Sequence, residues 1–158
     1  MFDCSERISG HIMERIKKLE KSQRYDVLDL WLRCMMQDNP FLEDNFWQVH
    51  YDKVKNDYLV GSDTYVYMMD GQIAGFICVT NQNYIRGLFV DPKFRQQGIG
   101  GKLIKYVKGL FSMLHVKIYM KNRTMVKFAT QMSFVIDGAE MQRETGEIQY
   151  NFIWDENE

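Results

Sequence analysis

Between Thr64 and Thr80 the chain reads TYVYMMDGQIAGFICVT, two runs rich in β-branched and aromatic residues joined by Asp70-Gly71. A two-residue Asp-Gly link favours a type I′ turn, with positive φ at both positions, so the runs predict an antiparallel hairpin. A third β-rich run, YIRGLFV, follows a turn at NQN. Gly87, in its middle, offers no side chain to pack and predicts a bulge or a close backbone approach. Any fold for this chain must accommodate three consecutive strands and whatever is attached to the third.

The attachment is VDPKFRQQGIGGKLIKYVKG, residues 90–109. Pro92 ends the strand, and from about Gly98 the residues Ile99, Leu103, Tyr106, Val107 and Leu110 recur at helical spacing. A P-loop needs Ser or Thr after Gly-Lys, but Gly101-Lys102 is followed by Leu103. A dinucleotide fingerprint beginning at Gly98 needs glycine where Leu103 stands. What remains is R-x-x-G-x-G, met by Arg95, Gly98 and Gly100. Small residues at 98 and 100 let backbone N–H groups converge at a helix N-terminus and form an anion-binding concavity. One exposed helix-end interaction is worth only about 0.3 to 1 kcal/mol, so holding a pyrophosphate takes several donors together. The plainer reading is a glycine-rich turn that serves only to start a helix.

Elsewhere the pattern supports one compact unit. The 158 residues are 46% hydrophobic and 26% charged, enough for a single buried core. The only prolines are Pro40 and Pro92, with no linker or repeat. Residues 1–11 show no pattern and read as an N-terminal tail or an expression remnant, and 12–158 as one domain. Ile12, Ile16 and Leu19 fit either a helix face or a short first strand. Leu28, Trp31, Leu32 and Met35 predict a helix stopped at QDNP, and a second helix is expected over 43–56. HVKIYM predicts a strand, and KNRTMVKFATQM a helix capped by Asn122 or Thr124. FVIDGAEMQ and IQYNFIW predict two strands around ETGE. The expected order is βααβββαβαββ, mixed α/β with one parallel crossover after Val90.

A net charge of −1 excludes a global nucleic-acid or membrane signal. Cys4, Cys34 and Cys78 have no paired spacing, which predicts free thiols and a cytoplasmic protein. No His/Cys cluster at ligand spacing indicates a metal. The histidines His50 and His115 stand alone and read as structural or solvated.

The combination GLFVDPKFRQQGIGGKLIKYV, preceded by an Asp-Gly hairpin and followed by a strand and an asparagine-headed helix, resembles the GNAT (GCN5-related N-acetyltransferase) family, especially its small bacterial members, from about Ile16 to Trp154. The resemblance implies an α/β fold with a central, mostly antiparallel mixed sheet flanked by helices. It also implies acetyl-CoA as cofactor and transfer of its acetyl group to a primary amine by direct attack on the thioester. Under it, Leu88, Phe89 and Val90 would pair with the pantetheine arm, and Arg95 with Gln96, Gln97, Gly98, Ile99 and Gly100 would bind the pyrophosphate. Asn122 and Phe128 would flank the cofactor.

Two departures bear on chemistry. Where relatives read F-Y-x-x-x-G-F, with tyrosine as general acid for the thiolate, this chain has FATQMSF, with Ala129 for the tyrosine and Ser133 for the glycine. Where relatives often carry a carboxylate, it has Lys117. Tyr119, two residues along the same strand and therefore on the same face, is the substitute acid, with Asn122 as a further catalytic candidate; packing alone also explains a strand tyrosine. Phe41 and Trp47, in DNPFLEDNFW, are candidates to wall the acceptor pocket, and core packing is the competing reading. The expectation is an N-acetyltransferase acting on a small-molecule or polypeptide amine, as monomer or homodimer, with no DNA or membrane partner. A catalytically weakened CoA-binding protein of the same fold is the alternative, motivated by Ala129, and an interaction module that keeps only the fold is a third class.

Overall fold

A computed structural model describes residues 7–9, 12–42 and 51–158. The described elements run β1 (Arg7–Ser9), β2 (Ile12–Lys18), α1 (Arg24–Asp38), α2 (Tyr51–Val60), β3 (Ser62–Met69), β4 (Gln72–Thr80), β5 (Tyr84–Val90), α3 (Ile99–Lys108), β6 (Met113–Tyr119), α4 (Arg123–Gln131), β7 (Val135–Gln142) and β8 (Glu147–Asp155). The strands form one sheet in the order β1-β2-β3-β4-β5-β6-β8-β7, antiparallel everywhere except between β5 and β6. This is the expected mixed, mostly antiparallel sheet flanked by helices.

The hairpin forms as its turn chemistry requires. Met69 pairs with Gln72, and Asp70 and Gly71 sit at φ 51° and 78°. The ambiguous first segment is a strand, Ile12–Lys18, because its residues pair with β3 from Glu14↔Met69 to Lys18↔Tyr65. Arg7–Ser9, inside the segment read as a tail, pair with β2. The second helix lies at Tyr51–Val60, four residues beyond its expected end, and 43–50 fall outside the described residues.

Burial explains the layering. Strand β4 is buried from Ala74 to Thr80 because helices cover both of its faces. Ile77 and Val79 face the cluster that takes Ile99, Leu103, Ile104 and Val107 of α3, whereas Phe76 and Cys78 face the one that takes Val27, Leu28, Trp31 and Cys34 of α1. Three expected core positions differ. Leu110 follows the end of α3 and is 42% exposed, while Ile104 takes the buried place. Leu32 and Met35 are half-buried, and α1 turns Val27, Leu30 and Cys34 inward instead.

Candidate functional site

The one parallel contact is short. Strands β5 and β6 pair only at Tyr84↔His115 and Ile85↔Val116. Beyond that point β5 stays with β4, at Cys78↔Gly87 through Gly75↔Val90, while β6 stays with β8 from Lys117↔Asn151 to Tyr119↔Gln149. The register between β4 and β5 slips where Cys78 pairs with Gly87 and Val79 with Ile85, leaving Arg86 as the extra residue of a bulge. The expectation at Gly87 is met, and the kink coincides with the parting of the strands. A cleft results whose β5 wall is Leu88, Phe89 and Val90.

Helix α3 starts at the open end of this cleft. Its first intrahelical bond runs from the Lys102 N–H to the Gly98 carbonyl, 3.0 Å, so the N–H groups of Ile99, Gly100 and Gly101 precede the helix ladder. Gly98 caps the helix at φ 78°, a conformation that costs other L-residues roughly 1–2 kcal/mol. A Cβ on Gly100 would lie 3.3 Å from the Phe128 ring and 3.8 Å from Val90. Glycine at 98 therefore answers a backbone requirement, and glycine at 100 answers close packing against α4. Gln96, at φ 69°, and Gln97 are exposed beside them. The first turn of α3 is tied back to the sheet. Lys102 donates to the Tyr67 hydroxyl at 3.2 Å and lies 3.5 Å from Glu14, and the Tyr67 hydroxyl donates to Glu14 at 2.9 Å.

Arg95 makes contacts within the protein. Its Nε donates to the Val90 carbonyl at 3.0 Å, and its Nη2 lies 3.6 Å from Cys34 Sγ. The Cys34 thiol approaches the same carbonyl at 3.6 Å. Arg95 thus clamps the loop to the end of β5 and to α1.

The opposite wall is built from side chains. Tyr119, at the end of β6, is only 8% exposed and meets the Phe41 ring edge-on at 5.6 Å and 78°. Burial raises its pKa above the ordinary tyrosine value, a hydrogen bond with Thr145 opposes the rise, and the carboxylates of Glu144 and Glu147 add to it. The hydroxyl therefore stays protonated through the neutral range. Asn122 caps α4, its Oδ1 accepting from the Met125 N–H at 3.2 Å, and its Nδ2 reaches Asn39 Oδ1 at 3.5 Å. Asn39 is 3% exposed, and nothing in its sequence neighbourhood separates it from an ordinary helix-end asparagine. Trp47 and His50 lie outside the described residues.

Ala129 and Ser133 fall into place structurally. Ala129 is buried against the α3-side core. Ser133 takes φ 69° after the end of α4, and the Phe134 N–H bonds back to the Ala129 carbonyl at 3.0 Å. That is the left-handed helix stop for which glycine is the easier residue. Neither described cysteine is a nucleophile. Cys34 and Cys78 are both buried, and burial pushes the Cys78 thiol up to about 12.

Residues 35–147 match the acetyltransferase (GNAT) domain. The chain is 29% identical over 130 residues to the peptidyl-lysine N-acetyltransferase YiaC of Escherichia coli, covering 82% of this chain and 89% of that protein. The solution structure of apo YjaB from Escherichia coli superposes with a TM-score of 0.78 at 19% identity, over 89% of this chain and 97% of that one. A streptothricin acetyltransferase homologue from Bacillus anthracis, solved with acetyl coenzyme A, superposes with a TM-score of 0.55 at 25% identity, over 63% of this chain and 67% of that one.

Proposed function

Because this chain belongs to the GNAT acetyltransferase family and is an acetyl-CoA-dependent N-acetyltransferase, we propose that its acceptor is a lysine ε-amine on a polypeptide and that the cleft between β5 and β6 is where transfer occurs. The carrying observation is the parting of β5 from β6 directly beneath the glycine-built start of α3. The name of the 29%-identical YiaC supports a polypeptide lysine over other amines.

The residues present fit the cofactor, since a Cβ at Gly100 would crowd Phe128 and backbone N–H groups gather ahead of the Lys102 bond. Gln96 to Gly100 would hold its pyrophosphate and Leu88 to Val90 its pantetheine arm, with Phe128 alongside. Acetyl-CoA supplies the acetyl group as a thioester that the acceptor amine attacks directly, leaving a thiol. Arg95 is a positioning residue, keeping the end of β5 and the loop in one geometry.

Tyr119 is the hydroxyl donor to the departing sulfur. Its raised pKa keeps the proton on oxygen, while a free thiol titrates near about 8.5. Full proton transfer from Tyr119 is therefore uphill, and its contribution is a hydrogen bond to developing negative charge. Phe41 packs edge-on against the Tyr119 ring. A catalytically weakened binder is not favoured. The test is thiol release from acetyl-CoA over a panel of lysine peptides and small amines, with acetyl-lysine located by mass spectrometry. Release with peptides and acetyl on the lysine side chain is expected; release only with small amines overturns the polypeptide reading.

A further inference from the structure

Among the described residues, the half of the sheet beyond the proposed transfer cleft has one face that no helix covers, and that face carries a polar cleft of about 280 Å³. Its wall residues include Tyr84, His115, Lys117, Asp137, Glu140 and Asn151. Three features of the fold bring them together. His115 and Lys117 alternate on β6 and so share the face of Tyr119, the next residue in that series. Lys117 pairs across the strand with Asn151. The register of β7 against β8 then slips between Ile136 and Ala139, so the bulge residues Asp137 and Gly138 lie over Asn151, with a Cβ on Gly138 only 3.6 Å from Asn151 Nδ2.

The chemistry of this cleft has a direction. It holds two carboxylates, Asp137 and Glu140, against one ammonium, Lys117, which is 2.8 Å from Glu140. Both members of that pair are about half exposed, 46% and 49%, and an exposed ion pair is weak enough for an incoming cation to exchange partners. Asn151 Oδ1 is buried and has no hydrogen-bond partner among the described residues, so an acceptor waits for a donor. Tyr84 stacks on His115 at 4.8 Å and 24°, and the residue is 38% exposed, an aromatic group at the rim. Carboxylate oxygens, a lone amide oxygen and an aromatic face together match a planar group with several donors. A guanidinium satisfies all three, and an ammonium cannot stack in the same way.

We propose that this cleft is a guanidinium subsite that takes an arginine side chain of the acceptor polypeptide, near the lysine being acetylated. Lys117 is two residues from Tyr119 along β6, about 7 Å at the strand rise, so an extended acceptor reaches the cleft within a few residues of its reactive amine. The proposal rests on the polypeptide reading above. An aspartate- or glutamate-bearing neighbour would instead use Lys117 and His115.

Two measurements test it. In the first, acceptor peptides carry one lysine and one arginine moved stepwise to either side. Arginine at one preferred offset is expected to raise kcat/KM about tenfold through KM. Asp137→Asn with Glu140→Gln abolishes that gain and leaves an all-alanine-flanked peptide unchanged. No preferred offset, a gain that survives the double variant, or a preference for an acidic neighbour overturns the proposal. In the second, the CoA-loaded enzyme is titrated with N-acetyl-arginine amide while the Asn151 side-chain amide is followed by NMR. A saturating shift, lost in the double variant, is expected, and no shift overturns the subsite whatever the acceptor is. A shift without turnover of any lysine peptide sinks the polypeptide reading alone.

Discussion

The two walls of the proposed transfer cleft are made of different material. The wall at β5 and α3 is backbone: a bulged strand, a left-handed Gly98, and N–H groups ahead of the Lys102–Gly98 bond, with exposed Gln96 and Gln97 beside them. The wall at β6 and α4 is side chain: a buried tyrosine hydroxyl, the Phe41 ring, and two asparagines touching across 83 positions of sequence. A backbone site is disrupted by adding atoms, whereas a side-chain site is disrupted by removing them. The first wall is therefore sensitive to added atoms at Gly100, and the second to truncation.

The largest effect should come from adding bulk to the first wall. Gly100→Glu places a carboxylate against the Phe128 ring and beside the proposed pyrophosphate loop, and kcat/KM is expected to fall by at least about 10³-fold as cofactor binding is lost. In the parent, acetyl-CoA at about 100 times its dissociation constant stabilises by roughly 2.7 kcal/mol, a midpoint rise of about 5 to 10 °C in a thermal melt. The variant should show no rise, and a normal rise would mean that the loop does not hold the pyrophosphate.

Removing one oxygen from the second wall comes next. Tyr119→Phe is expected to lower kcat about 10²-fold with KM for acetyl-CoA unchanged, measured by steady-state thiol release. Ala129→Tyr, which restores the residue relatives use, should then change kcat by less than about tenfold; a large gain would move the acid role away from Tyr119. Tyr119 also predicts a pH effect. Its folded pKa is raised, so its contribution to stability is complete below the unfolded value of about 10 and is lost as pH rises through the folded one. Denaturant melts should show the Phe variant losing less stability than the parent above that pH.

Arg95→Ala sharpens the contrast at intermediate size. It removes a charged donor from the Val90 carbonyl, at a cost of about 1.5 to 3 kcal/mol, and Arg95→Lys should not rescue it because one ammonium does not reproduce the fork. If cofactor affinity falls while the melting point holds, Arg95 touches the ligand after all. The smallest change is Ser133→Gly, which relieves a left-handed serine and should raise stability by about 1 kcal/mol or less without altering kcat.

The difference between the walls also explains what was legible. Glycine spacing reports a backbone demand at its own position, so R-x-x-G-x-G marks Gly98 and Gly100 as places where the backbone needs glycine. The same letters placed Arg95 among the anion ligands, but its direction was set by Val90 and Cys34, five and 61 residues away. Tyr119 was named because Ala129 and Lys117 broke a pattern, and that inference could not separate packing from chemistry. Its burial against Phe41 accounts for the packing, and the chemistry is what Tyr119→Phe tests. Asn39 belongs to the DNPFLEDNFW stretch, but its bond to Asn122 has no signal of its own, because a buried amide bonded to another amide looks like any polar residue near a helix end until the chain is folded.

Local rules acting over a few residues were enough for the hairpin at Asp70-Gly71, the bulge at Gly87 and the start of α3, since turn geometry and φ preference belong to the residues themselves. The parting of β5 from β6, the inward turn of Arg95 and the meeting of Phe41 with Tyr119 were decided only by tertiary structure. Each depends on which strand wins a neighbour's hydrogen bonds or on which distant surface lies opposite, and no short window of sequence contains both partners.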